Sequence, residues 1–253
     1  MHIFSRISKS NLKIYIISCS LFLFSACEKL IFSDPGPIQR NSISFDYFSQ
    51  ISVYDIFEIE LGTDSIFSVE IETFDKYIEN ISLVLDSGKL VIEDNNNFKG
   101  FADYPRPKLK IKFPRIDNQI ILEAPFKITT RDTLELPSLT LYLIGQTGEL
   151  DITLNVDYFR MVTDADNYGY YLIRGKANST NFWPRGSSQV DASQLISQYC
   201  YVYNNSIGDC YVNVSQKLEV RLNTIGNVIY SGNPKEIVIV EESGTGKVFP
   251  ATR

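Results

Sequence analysis

Histidine is almost absent from this chain of 253 residues, which holds only His2. Residues 1–26 have the features of a cleaved leader, so we expect the mature protein to carry no imidazole. That absence excludes Ser-His-Asp and Cys-His nucleophile systems and every histidine-based zinc site. We therefore predict no metal site, no cofactor and no catalytic residue, and expect the protein not to be an enzyme.

Long apolar runs and basic clusters are missing as well. After residue 26 no segment approaches the ~20 apolar residues of a membrane-spanning helix. Without residues 1–26, 21 basic residues stand against 30 acidic ones, a formal charge of −9. An acidic chain with no Lys/Arg cluster is poorly suited to nucleic acid, so we predict no nucleic-acid partner.

The leader predicts a bacterial lipoprotein signal peptide over residues 1–26. Its positive region precedes an apolar core at residues 14–24, and small residues lead into Cys27. We predict that Cys27 is lipidated, because several acyl chains at ~0.8 kcal/mol per buried CH₂ form a firm anchor. The expected location is the outer membrane, facing either the periplasm or the cell surface. The membrane partner is then the lipid on Cys27.

Only two cysteines remain after the leader and the lipid site, Cys200 and Cys210. Export makes a disulfide between them possible. Both also stand where apolar residues alternate inward, which fits two buried free thiols. The sequence leaves these two alternatives open.

The rest of the chain predicts a short tether followed by one all-β domain. Residues 27–42 are polar, include Pro35 and Pro37, and indicate a tether. From residue 43 to about 250 the chain alternates apolar and polar residues, which is typical of half-buried strands. The clearest strands are FEIEL (57–61), FSVEIE (67–72), KLVIE (89–93) and KLKIKF (108–113).

Glycines recur at intervals of about twenty residues in the C-terminal half. Aligned on them, the positions four residues later are mostly apolar: Ile152, Ile173, Val190, Val212 and Tyr230. Short strands repeating at this period predict a β-solenoid, whose stacked rungs share one core. An antiparallel β-sandwich or meander with even strand spacing is the alternative. The glycines in this alignment are Gly148, Gly169, Gly186, Gly208 and Gly226.

The order of these weak motifs resembles one family. FDYFSQISVYDIFEIELGTDSIFSVEIE opens the resemblance, ENISLVLDSGKLVIEDNN continues it, and LNTIGNVIYSGNPKEI with ESGTGKV closes it. Over roughly residues 43–247 the chain is similar to lipoproteins of the "putative auto-transporter adhesin, head GIN domain" family. The resemblance implies a right-handed parallel β-helix-like fold on the cell envelope and, by the family's label, adhesion or ligand binding. It carries no catalytic residue to transfer.

Aromatic residues supply the candidate ligand surface. Tyr199, Tyr201 and Tyr203 alternate with inward residues, so they share the outward face of one strand. Together with Tyr170 and Trp183 on nearby rungs they would form a flat surface suited to a glycan or a protein partner. Aromatics also favour exposed strand faces for packing alone, which is the competing interpretation.

Carboxylates provide weaker candidates for a functional site than the aromatic residues do. In the glycine alignment no outward column stacks two of them on adjacent rungs, and Asp191 is expected beside Arg174. The acidic cluster DADN (164–167) is best explained as a loop, and SGTGK (243–247) as a turn. The sequence thus favours a lipid-anchored, non-catalytic adhesion or ligand-binding protein. The alternatives are a carbohydrate-active β-helix enzyme using paired carboxylates and a structural envelope scaffold.

Overall fold

The computed structural model describes residues 34–97, 99 and 104–252. The predicted signal peptide and the lipid site Cys27 lie outside the described residues. All but one of the elements are strands, and the exception is a single helical turn. The elements are β1 Ile38–Phe45, β2 Gln50–Val53, β3 Phe57–Thr63, β4 Phe67–Phe74, α1 Asp75–Ile78, β5 Ile81–Asp86, β6 Lys89–Asp94, β7 Lys108–Phe113, β8 Asn118–Leu122, β9 Phe126–Thr130, β10 Leu134–Leu143, β11 Thr147–Thr163, β12 Tyr168–Trp183, β13 Arg185–Gly186, β14 Gln189–Ser206, β15 Cys210–Leu222, β16 Val228–Gly232, β17 Glu236–Glu242 and β18 Val248–Pro250.

The strands stack in parallel into a β-solenoid of about seven turns, as the repeat predicts. Two columns of strands run along it, and from β10 onward a third, shorter row of parallel pairs lies between them along the chain, beginning with Leu134–Leu136 against Leu154–Val156. The first column contains, in spatial order, β7, β3, β9, the first halves of β11, β12, β14 and β15, then β16 and β18. The second contains β6, β2, β8, the second halves of β10, β11, β12, β14 and β15, then β17.

The N-terminal end departs from a regular solenoid. The rung formed by β2 and β3 lies between the rung of β6 and β7 and the rung of β8 and β9, so stacking order differs from chain order. Antiparallel strands close this end: β1 pairs with β4, β4 with β7, and β5 with β6. The antiparallel alternative therefore describes only this end of the molecule.

Strand β1 also corrects the predicted tether. It begins at Ile38 and pairs residue by residue with β4, so residues 38–42 belong to the sheet. The boundary predicted at residue 43 was too late because β1 is largely exposed and carries no strong apolar alternation. Backbone pairing with β4 holds this strand in place instead.

The core lies between the two columns and is built by alternate residues. In the second column Phe159, Phe182, Val202 and Val220 are buried, and each is flanked by half-buried neighbours. Cross-strand pairs extend the alternation from rung to rung, as in Cys210 with Val228. Burial of such side chains stabilises the fold by about 25 cal/mol per Å² of apolar surface, and no rung buries its inward face alone.

The corner before the first column explains the glycine repeat and corrects its register. Gly208 stacks on the corner of Ser188, Gly226 on Gly208, and Gly246 on Gly226. Val190 pairs with Tyr171 and Cys210, so Ser188, not Gly186, occupies the corner position of its rung. The alignment on Gly186 was wrong by two residues. With Ser188 and Gly246 the intervals become 21, 19, 20, 18 and 20, more regular than before.

Steric contact with the rung below requires glycine at positions 226 and 246 of this corner. A Cβ added to Gly226 would lie 2.2 Å from the carbonyl oxygen of Gly208 and 2.4 Å from that of Ser206. These distances are too short for any side chain while the backbones keep their spacing of roughly 4.8 Å. Gly246 stands in the predicted turn SGTGK, where a Cβ would lie 2.2 Å from the Gly226 carbonyl oxygen.

Where serine replaces glycine, a buried polar cluster accepts its side chain. The Ser188 hydroxyl lies 2.7 Å from Asn167 Oδ1 and 3.1 Å from Thr163 Oγ1. The Asn167 side chain donates to the carbonyl oxygen of Gly145 at 2.6 Å. The segment predicted to be a DADN loop therefore forms the same corner, and hydrogen bonds satisfy its buried asparagine.

We expect Gly226→Ala to lower the free energy of unfolding by about 1–3 kcal/mol or more, because the new Cβ collides with backbone that cannot yield cheaply. Gly62→Ala is the matched control. Its Cβ would meet only Lys112 Cγ at 3.6 Å, so the change should stay within about 0.5 kcal/mol. Urea denaturation followed by circular dichroism measures both. Equal stability of the two variants would contradict the close-stacking account.

Candidate functional site

An aromatic surface covers the outward side of the second strand column. Trp183 ends β12 and Tyr203 lies near the end of β14, each alternating with a buried residue. Their ring centroids are 5.7 Å apart with the planes at 81°, an edge-to-face contact. Such pairs contribute about 0.5–1.5 kcal/mol beyond burial and hold both rings in a defined orientation.

Arg160 on β11 joins this surface. Its guanidinium lies 5.1 Å from the Trp183 ring centroid and 5.9 Å from that of Tyr142 on β10. Both distances fall within the range of cation–π attraction. We call the surface formed by Tyr142, Arg160, Trp183, Tyr201 and Tyr203 the aromatic face. It crosses four successive strands of the second column and is half-buried throughout.

Several polar atoms on the aromatic face are buried without a hydrogen-bond partner among the described residues. They are Arg160 Nε, Asn181 Oδ1 and Trp183 Nε1, with Arg221 Nε on the next rung beyond Tyr203. Arg160 and Asn181 are register partners on adjacent strands. Native proteins leave few such groups unpaired, so a cluster of them marks a place where a ligand could supply the missing partners.

The structure brings together four of the five residues predicted for the ligand surface. Tyr199, Tyr201 and Tyr203 do share one outward face, and Trp183 packs on Tyr203. Tyr170 does not join them. It lies in the first strand column, where its hydroxyl is 3.4 Å from Asp191. The predicted position of Tyr170 was wrong because the sequence does not show which half of a long strand belongs to which column.

Tyr142 and Arg160 were missed by the sequence analysis. Tyr142 could have been assigned outward from the alternation in SLTLYL (138–143). The contact of Arg160 with Trp183 could not have been predicted from the sequence. It joins residues on adjacent rungs that are not directly opposite each other, so it depends on the register of the two strands.

The outward side of the first column is charged instead. Two lysines of β7, Lys108 and Lys110, lie between the glutamates of β4 and those of β3. Lys110 lies 3.4 Å from Glu70, and Lys112 lies 3.2 Å from Asp64. A depression of about 360 Å³ beside Gly62 is lined by residues of both signs. Neighbouring strands therefore neutralise each other, which leaves a mixed surface.

Two carboxylates of this charged surface, Glu72 and Asp64, do not resemble a general acid. Hydrogen bonding from Arg40 lowers the pKa of the Glu72 carboxyl, and the backbone N–H of Ser65 lowers the pKa of Asp64. A general acid of a glycosidase needs the opposite, a raised pKa. The geometry therefore gives the carbohydrate-active enzyme no specific support.

The predicted pairing of Asp191 with Arg174 was wrong. Arg174 forms its ion pair with Asp151 on the preceding rung, whereas Asp191 accepts a hydrogen bond from Ser193 at 2.6 Å. The two-residue error in the glycine register is the reason. Within the described part of the chain no three His, Cys, Asp or Glu side chains are grouped to hold a metal ion.

Cys200 and Cys210 are both buried free thiols, so the disulfide alternative is not the one found. Each occupies an inward core position, Cys200 opposite Leu218 and Cys210 opposite Val228. Burial raises the pKa of Cys200 to about 12 and that of Cys210 well above its ordinary value. At neutral pH both are therefore protonated and act as small core residues.

The fold and its surfaces define a β-solenoid with the aromatic face on one strand column. A model of the putative auto-transporter adhesin, head GIN domain family matches residues 47–234, and the chain belongs to that family. The chain has no significant match among curated proteins.

Solved structures of putative adhesins from three bacteria have a similar fold. A putative adhesin from Bacteroides fragilis NCTC 9343 superposes with a TM-score of 0.77 at 16% identity, covering 85% of this chain and 97% of that one. A putative adhesin from Parabacteroides distasonis ATCC 8503 gives 0.60 at 16% identity, covering 85% and 98%. One from Parabacteroides merdae ATCC 43184 gives 0.55 at 16% identity, covering 86% and 97%.

At this identity the likeness shows a shared fold and nothing about ligands. Across the described ranges, no helix is long and apolar enough to cross a membrane.

We expect Cys200 and Cys210 to resist alkylation in the native protein and to react fully once it is unfolded without reductant. Burial and the raised pKa of both thiols remove the reactive thiolate. Peptide mass mapping after iodoacetamide treatment measures both states. A disulfide-linked peptide, or alkylation before unfolding, would contradict the buried-thiol core.

Proposed function

We propose that the protein is a non-catalytic adhesion module of the bacterial cell envelope, which binds glycan through the aromatic face. The observation that carries the proposal is the set of Trp183, Tyr203 and Arg160 held against one another on an open outward surface. Membership of the adhesin family supports a binding role over a catalytic one.

The chemistry of the face suits a sugar chain. Aromatic side chains present a broad apolar surface with a polar tip, as a sugar ring presents apolar C–H faces and hydroxyl edges. Because Trp183 and Tyr203 pack edge to face, their orientation is fixed before a ligand arrives, which reduces the entropy lost on binding. The alternating rungs repeat this presentation along the solenoid, which fits an extended ligand better than a compact one.

The proposal includes an anchor at the N-terminus. Lipid on Cys27 would hold the protein at the outer membrane, with the segment before β1 as the spacer between membrane and solenoid. Anchoring at the membrane is useful to an adhesion module because several copies on one cell can bind one polymeric ligand at the same time.

Replacing the predicted lipid site should release the protein from the membrane. We expect Cys27→Ser to move it from the outer-membrane fraction to the soluble periplasmic or extracellular fraction, because no acyl chain is then attached. Cell fractionation with immunoblotting measures the shift. Cys19→Ser, within the leader, is the matched control and should remain membrane-bound. Equal partition of the two variants would contradict the anchor.

Removing the central ring of the aromatic face should abolish glycan binding. We expect Trp183→Ala to weaken binding to the glycans that the purified wild-type protein retains on an array by about 10-fold or more, as for a central aromatic residue of an interface. Tyr170→Ala removes an exposed ring from the other column and should bind normally. Circular dichroism confirms that both variants are folded.

If the wild-type protein retains no glycan on the array, the glycan-binding proposal is overturned and the scaffold interpretation is favoured. If Tyr170→Ala and Trp183→Ala lose binding equally, the ligand surface is not the aromatic face.

A further inference from the structure

We propose that Arg160 binds an anionic group of the glycan, a carboxylate or a sulfate ester, so that the ligands of the aromatic face are acidic saccharides. The inference rests on the proposed function and narrows it to one chemical class.

Arg160 lacks a counter-ion of the kind that Arg40 and Arg174 have. Arg40 lies 2.7 Å from Glu72, and Arg174 pairs with Asp151. Within the described ranges Arg160 forms no such ion pair. Its register partners on the adjacent strands are neutral, Thr140 on one side and Asn181 on the other. A half-buried cation among neutral neighbours is available to an external anion.

Stacking prepares this guanidinium for an anion. A guanidinium that lies over aromatic rings uses its flat faces for the cation–π contacts and leaves its N–H edge for hydrogen bonds. That edge matches two oxygens of a carboxylate or a sulfate in a bidentate pair. Contact with Trp183 and Tyr142 also limits the rotamers of Arg160, so less conformational entropy is lost when the pair forms.

The orphaned atoms around Arg160 fit the hydroxyls of a sugar ring. Arg160 Nε and Trp183 Nε1 are donors without an acceptor, and Asn181 Oδ1 is an acceptor without a donor. Neighbouring side chains cover all three atoms, so a sugar hydroxyl, which is both a donor and an acceptor, would pair with them once those side chains move aside. A purely apolar occupant would leave all three unpaired, which argues against it.

The charge of the rest of the chain makes the site selective. The chain is acidic overall, with a formal charge of −6. A general attraction for polyanions is therefore absent, and an acidic glycan would depend on the local contact with Arg160. Arg160→Gln should accordingly have a large and specific effect.

The test compares polymers that differ in charge alone. Isothermal titration of the purified protein would use polygalacturonate against methyl-esterified pectin, and dextran sulfate against dextran. The first pair tests carboxylates and the second tests sulfates. We expect at least one anionic polymer to bind about 10- to 100-fold more tightly than its neutral counterpart, the range given by a charge-assisted hydrogen bond.

Variants assign the effect to Arg160. Arg160→Gln should remove the preference for the anionic polymer, whereas Arg174→Gln, on the other column, should keep it. Arg160→Lys retains the charge without the planar fork and should lose part of the preference. If Arg160→Gln fails to fold by circular dichroism, Arg160→Lys and the wild-type polymer pairs still decide the question.

Equal affinity for the charged and neutral polymers, or equal behaviour of the Arg160 and Arg174 variants, would overturn this inference. The proposed function would survive that result if Trp183→Ala still abolished binding. If the wild-type protein bound none of the glycans tested, the proposed function itself would be overturned.

Discussion

Close stacking of one corner on the next is the constraint on which the structure depends. At Gly226 the backbone approaches the rung below so nearly that a Cβ would meet the Gly208 carbonyl oxygen at 2.2 Å. The spacing between rungs, roughly 4.8 Å, is fixed by the parallel hydrogen bonds on either side of the corner. Once the corners are in register, inward residues such as Cys210 and Val228 meet and form a continuous core. Without that register no rung could bury its apolar face.

The same register determines which outward-facing side chains lie next to one another. In the first column it places two lysines of β7 between two rows of glutamates, and the charges neutralise one another. In the second column it places Trp183 beside Tyr203 and brings Arg160 over the Trp183 ring, where no carboxylate lies in register with it. One column is therefore a neutralised surface and the other an aromatic face with an unpaired cation. A shift of two residues in the register of β11 against β12 would separate Arg160 from Trp183.

Much of this could be predicted from the sequence, because alternation is a local signal. The strands, the solenoid and the shared outward face of Tyr199, Tyr201 and Tyr203 follow from period-two patterns and the glycine repeat. Register is not local, since it depends on how many residues each corner holds. Ser188 takes a glycine position by directing its hydroxyl into a buried polar cluster, and no pattern in the sequence indicates that exchange. The order of β2 and β3 in the stack escaped prediction for a related reason: stacking neighbours need not be neighbours along the chain.

The most direct test of this account is a nuclear Overhauser map of the isotopically labelled protein, read at the rung of Val190. The register described here predicts cross-peaks from Val190 to Cys210 and Tyr171, together with contacts from the Trp183 indole to the Tyr203 ring and the Arg160 side chain. Cross-peaks from Val190 to Val212 and Ile173 instead would place Gly186 in the corner position. That result would contradict the corner register on which the account rests.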